Sequence, residues 1–195
     1  MSRYTLNLKD EERNTLYQFL ESLPNLRSFI LIQAFHLVST TDIPKLIESL
    51  RHAPLLEFSL DNGISANVEG QPTIGLSGLE KLSVIWNLRD HVDQPGSAYD
   101  HLYYLVRPSL STLVDLQIEH YPRLGPKFDL QLLKPAGNTL RSFRFLAVGD
   151  DQSIFYDVPV LFPHLIKLDI RWSQHTPTRR SILWNVCILS HMKPL

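Results

Sequence analysis

The 195-residue sequence predicts an α/β fold of the solenoid kind, a curved parallel sheet with helices and loops on its convex side. Two observations predict it. A short apolar motif recurs along the chain at near-regular intervals, and several of the segments between copies change from a period of 2 to a period near 3.6. Alternating strand and helix segments imply parallel strands joined by crossovers. A single domain spanning 1–195, with about six to seven irregular repeats, is expected.

The motif is Leu, two residues, Leu or Phe, one residue, then an apolar residue. Its copies are Leu26, Phe29, Leu31; Leu55, Phe58, Leu60; Leu79, Leu82, Val84; Leu113, Leu116, Ile118; Leu140, Phe143, Phe145; and Leu165, Leu168, Ile170. A partial copy at the N-terminus has Leu6 and Leu8, with Arg3 in the leading position. The starts at positions 3, 26, 55, 79, 113, 140 and 165 are 23, 29, 24, 34, 27 and 25 residues apart. The second and third apolar residues stand two apart, so on an extended strand both point to one face, and the leading Leu packs at the turn into that strand.

The spacers are taken in order. Leu16, Phe19, Leu20 and Leu23 follow Asp10 at helical spacing, and Ile43, Leu46, Ile47 and Leu50 follow Asp42, with Pro44 in the first turn. Each set predicts an amphipathic helix with an aspartate N-cap. Shorter helices are expected from Tyr99 to Val106, ending before Pro108, and from Phe128 to Lys134, ending before Pro135. Asp61 to Gly78 and Ala147 to Pro163 are expected to be loops or single turns. Over Thr178 to Leu195, Ile182, Leu183, Val186 and Leu189 stand at helical spacing, which predicts a terminal helix covering the last repeat.

Phrases such as LPNLRSF, RPSLSTLVDLQI and FPHLIKLDI resemble leucine-rich-repeat proteins, in particular the irregular repeats of fungal F-box proteins. The resemblance covers nearly the whole chain and implies a protein-binding scaffold related to substrate-recognition subunits of ubiquitin ligases. Two departures stand out. The family often places Asn or Cys three residues after the third apolar position, whereas the six copies carry Ala34, Gly63, Asn87, Tyr121, Val148 and Ser173. The first repeat begins almost at Met1, so no F-box is expected ahead of it, and the chain reads as a truncated relative.

Composition narrows the function classes. Net charge is −1, with 44% apolar and 20% charged residues, so no phosphate-binding or anionic-membrane footprint is expected. One cysteine, Cys187, fits a reducing compartment, the cytosol or nucleus. The charged run Lys9-Asp10-Glu11-Glu12-Arg13 precedes any sustained apolar stretch, unlike a secretory signal. Ile182 to Leu189 falls far short of the roughly 20 residues that span a bilayer. Eight histidines occur without a His-x-x-x-His or Cys-x-x-Cys pattern, and neither a glycine-rich phosphate loop nor a nucleophile elbow is present. No metal, cofactor or enzymatic reaction is expected.

Alternation sends the residues between the apolar pairs to the concave face: Asn7, Ile30, Ser59, Ser83, Gln117, Arg144 and Asp169. The next outward positions are Lys9, Ile32, Asp61, Ile85, Glu119, Leu146 and Arg171. Adjacent to these stand Trp86, His120 and Trp172. Interface hot spots favour Trp, Tyr and Arg, so Trp86, Arg144, Arg171 and Trp172 are the preferred anchors, and with the adjacent His120 they make up the candidate partner-binding residues. Each Trp also has a second reading, packing beneath the loop that follows its strand. The long spacer with Arg89, His91 and Asp93 reads as a contact loop or a tolerated insertion. Two rivals to a binding module remain open at this level: a repeat fragment without independent function, and an α/β enzyme.

Overall fold

A computed structural model describes residues 10–31, 42–61, 75–86, 103–120, 129–148, 154–174 and 182–189. The elements are α1 (Asp10–Glu21), β1 (Ser28–Leu31), α2 (Asp42–Leu50), β2 (Glu57–Asp61), β3 (Lys81–Trp86), β4 (Asp115–His120), β5 (Ser142–Val148), α3 (Ile154–Leu161), β6 (Lys167–Gln174) and β7 (Ile182–Leu189). One sheet holds all seven strands in chain order. β1 to β6 are parallel, and β7 runs antiparallel to β6. The class is therefore α/β with a parallel sheet of six strands.

The six full motif copies fall one per parallel strand. Phe29, Phe58, Leu82, Leu116, Phe143 and Leu168 are register partners across the sheet, and so are Leu31, Leu60, Val84, Ile118, Phe145 and Ile170. The interior members of both columns are buried, as are the leading residues Leu55, Leu79, Leu113 and Leu140. Leu26 and Leu165, leading the end copies, are half-buried. Rings add to this interior: Phe29 stacks on Phe58 at 5.9 Å between centroids, and Phe143 meets Phe145 at 5.7 Å and Phe162 at 5.4 Å. Burying each such side chain contributes about 1.5–3 kcal/mol.

A repeated backbone joint sets the register. The residue after each leading Leu accepts two consecutive N–H groups from the next copy through one carbonyl. Leu56 and Glu57 donate to Arg27 O at 2.8 and 3.1 Å, and Glu80 and Lys81 donate to Leu56 O at 2.8 and 2.9 Å. Val114 and Asp115 donate to Glu80 O, Arg141 and Ser142 to Val114 O, and Ile166 and Lys167 to Arg141 O.

The connections differ from expectation in several places. α1 buries Leu20 and packs Leu16 and Tyr17 against the core, but Phe19 is 57% exposed, so the apolar stripe is narrower than its spacing suggests. α2 buries Leu46, Ile47 and Leu50 as expected. The cap side chains of Asp10 and Asp42 lie outside the described residues, as do the partial first copy and the Arg89–Asp93 stretch. A short helix at 103–106 passes into a 3-10 turn, Arg107–Ser109, so Pro108 lies within the helical segment rather than beyond it. The segment Leu130–Ala136 is a 3-10 helix that runs through Pro135. Asp129 caps it by accepting the N–H of Gln131.

α3 lies within Ala147 to Pro163, where the sequence predicts loops or single turns. Pro159 and the β-branched residues of IFYDVPVL disfavour a helix. Tertiary packing overrides them, because Val158, Leu161 and Phe162 are buried in the common core. Gly137 permits the close approach, since a Cβ there would meet Leu161 O. Gly75 plays the same part against Leu105 O.

The expected terminal helix is a strand instead. Residues 182–189 pair along β6 over their full length, from Ile182 opposite Gln174 to Leu189 opposite Lys167. The physical reason is that ILWNVCIL is rich in β-branched and aromatic residues, and the free edge of β6 offers backbone partners that a helix does not need.

One buried polar group joins two copies. Ser109 Oγ donates to Leu76 O at 2.6 Å and accepts from Leu79 N at 3.0 Å, while Thr112 Oγ1 donates to Leu79 O at 2.7 Å. Ser109→Ala is expected to lower unfolding free energy by about 1–3 kcal/mol, since it leaves a buried N–H and carbonyl unmet. Phe143→Ala is expected to cost about 3–5 kcal/mol. Urea denaturation of both variants, with unchanged m-values, measures each loss.

Candidate functional site

Alternation along each strand turns the positions between the apolar pairs away from the core. The register column is Ile30, Ser59, Ser83, Gln117, Arg144 and Asp169. A second column on the same face comprises Ser28, Glu57, Lys81, Asp115, Ser142 and Lys167. Ile30 is 53% exposed, an apolar group in contact with water at the β1 end of this face. Ile32 lies outside the described residues, and the side chains of Ile85 and Leu146 are likewise not described.

Arg144 is held in place by its register neighbours. Its Nε–H donates to Asp169 Oδ2 at 2.7 Å, with side-chain exposures of 31% and 16% for the two residues. Its Nη1 donates to Gln117 Oε1 at 3.2 Å. Three neighbouring strands thus supply an acceptor, a guanidinium and a carboxylate in one row, with further N–H groups of the guanidinium beyond these two contacts. At the start of the sheet, Ser28 Oγ donates to Glu57 Oε2 at 2.7 Å. The pair fixes the orientation of a side chain that otherwise holds many rotamers, which lowers the entropic cost of ordering it against a partner.

The five candidate residues divide by strand parity. Arg144 and Arg171 share the alternation of the outward columns, and Arg171 pairs with Leu146 on β5. Trp86 and His120 are partners of one another, two residues beyond Val84 and Ile118. Trp172 pairs with Ala147 on one side and Trp184 on the other, two residues beyond Ile170. These three continue the alternation of the core columns at the strand ends. Of the five, only the Arg144 side chain is described, so the structure brings Arg144 together with Gln117 and Asp169 and gives backbone positions for the rest.

Alternation alone places Gln117, Arg144 and Asp169 on the outward face, and the register makes them an interacting row. The signal for that row is present in the sequence, because the three residues occupy one motif position in consecutive copies, and strands in chain order make such residues neighbours. Among the described residues, no group of three or more His, Cys, Asp or Glu is placed to hold a metal ion, and no helix is long and apolar enough to cross a membrane. Chemically, the row can orient a cation and offer hydrogen bonds to an acceptor. Compared with known protein families, curated proteins and solved structures, the chain matches none of them.

A double-mutant cycle on Arg144→Ala and Asp169→Ala is expected to give a coupling of about 0.5–1 kcal/mol at low salt, shrinking as salt is raised. A coupling indistinguishable from zero at low salt would show that the row is not an energetic unit.

Proposed function

We propose that this chain is a leucine-rich-repeat solenoid that binds another protein through the sheet face bearing Arg144 and carries out no reaction of its own. The observation that supports this reading most is the alignment of six motif copies on six adjacent parallel strands, with both apolar columns in register. Such stacking leaves one broad face of side chains that varies freely from copy to copy, since only the buried columns are constrained by packing. On that face the described residues include cations, anions, hydroxyls and an amide, with Ile30 at one end. Mixed chemistry of this sort, with Arg144 pre-ordered, suits recognition of a polar protein surface better than a phosphate backbone or an anionic membrane.

Arg144 and Arg171 are the proposed anchors on this face, whereas Trp86, His120 and Trp172 share the alternation of the core columns and are proposed to pack beneath the loops that follow their strands. A relationship to the substrate-recognition subunits of ubiquitin ligases is part of the same proposal and rests on the resemblance of the repeat phrases. The chain's own compartment is proposed to be the cytosol or nucleus, on its cysteine content.

Affinity purification from the native source tests the assignment. Proteins retained by the wild-type chain are expected to be lost from Arg144→Glu and Arg171→Glu, and kept by Tyr156→Ala, a residue 75% exposed on α3 and outside the outward columns. An equal set of retained proteins for all four chains would refute the placement of the interface on this face.

A further inference from the structure

The outward columns carry charged residues of both signs whose side chains are described, Lys81, Arg144 and Lys167 against Glu57, Asp115 and Asp169. They balance in number but not in depth. All three carboxylates are half-buried, whereas both lysines are exposed. Two of the anions are also engaged within the chain, since Glu57 accepts from Ser28 and Asp169 from Arg144. Neither lysine has a side-chain partner among the described residues. Lysine carries its charge at the end of a long flexible stem and aspartate close to the backbone, so an incoming molecule first meets positive charge.

On β5 and β6 the donors converge. Ser142 and Arg144 stand two residues apart on one face, and Lys167 is the register partner of Ser142. Strand geometry places the Arg144 and Lys167 Cα atoms about 8 Å apart on the diagonal. Arg144 gives Nε to Asp169 and Nη1 to Gln117, and its Nη2 has no partner among the described residues. Those two bonds fix the plane of the guanidinium and leave Nη2 for an acceptor from outside. We propose that the partner segment taken by this face is acidic, an extended peptide whose carboxylates, two residues apart, meet Arg144 Nη2 and the Lys167 ammonium. The inference rests on the reading of the outward face as the binding surface and names the chemistry that surface selects. Alternate side chains of an extended peptide lie about 7 Å apart on one side, close to the diagonal between the two donors, and the lysine stem takes up the difference. Carboxylate suits the site better than phosphate. The described charges of the face cancel, so a second negative charge on the ligand gains no net attraction, and Asp169 and Asp115 lie beside the donors.

Fluorescence anisotropy with the full chain tests this, using labelled peptides of equal length built from Glu-Ser, Gln-Ser or phosphoserine-Ser repeats. The Glu-Ser peptide is expected to bind about tenfold or more tightly than the Gln-Ser peptide. Lys167→Gln and Arg144→Gln are each expected to shrink that preference, and the double variant Arg144→Glu, Lys167→Glu to favour a Lys-Ser peptide instead. Equal affinity for Glu-Ser and Gln-Ser overturns the proposal, as does tightest binding of the phosphoserine peptide or a preference that both glutamine variants leave unchanged. The wild-type comparison needs no substitution, so a variant that fails to fold does not blunt it. Loss of native partners from Arg144→Glu, together with indifference between Glu-Ser and Gln-Ser, refutes the acidic ligand and leaves the face as the interface. Retention of those partners by Arg144→Glu refutes the face, and this inference with it.

Discussion

One carbonyl oxygen at the start of each strand accepts two consecutive N–H groups from the next, and the rest of the sheet depends on the offset this joint sets. Side chains alternate with a period of two, so a slip of one residue would exchange the buried and solvent faces of an entire strand. The joint recurs at Arg27, Leu56, Glu80, Val114 and Arg141, each directly after a leading leucine. Locked there, Phe or Leu always meets Phe or Leu, and the second column follows two residues later. Register and hydrophobic burial therefore support one another. Neither would specify the sheet alone, because backbone pairing is indifferent to side chain and burial is indifferent to a shift by two.

Between these joints the chain is permissive. The spacers include the α-helices α2 and α3, a helical turn that tightens to 3-10 geometry, and a 3-10 helix through Pro135. What they share is delivery of apolar side chains to the core, Leu46, Ile47 and Leu50 from one, Leu105 and Val106 from another, Val158 and Leu161 from a third. Where neighbouring spacers come closest, small or polar residues mediate the approach: Gly75 beside Leu105, Gly137 beside Leu161, and Ser109 beneath Leu76 and Leu79. The differing spacer lengths are absorbed away from the sheet, and the outward columns stay aligned.

That alignment is what turns separate polar residues into a surface. Gln117, Arg144 and Asp169 are 27 and 25 residues apart in sequence and adjacent in the sheet. Asp169 neutralises Arg144 while leaving it partly exposed, so the row presents directed hydrogen-bond donors rather than an unscreened positive charge. Such a group favours a partner with a matching acceptor over any polyanion, because charge-assisted hydrogen bonds depend on geometry as well as sign.

The sequence by itself determined the six parallel strands and which of their residues alternate toward the core. Period-two pairs such as Leu82 and Val84 or Phe143 and Phe145 were legible because the same spacing recurs in six copies. The Arg144 position was equally legible, as the residue between two buried neighbours. Tertiary structure decided what local signals leave ambiguous. Residues 154–161, with Pro159 and β-branched side chains, become helical because the core needs Val158 and Leu161, and residues 182–189 become a strand because β6 presents an edge. Their apolar spacing suits more than one backbone conformation, and only the neighbour that each segment meets selects among them. The salt bridge between Arg144 and Asp169 is of the same kind, a contact that exists once register has made two distant residues adjacent.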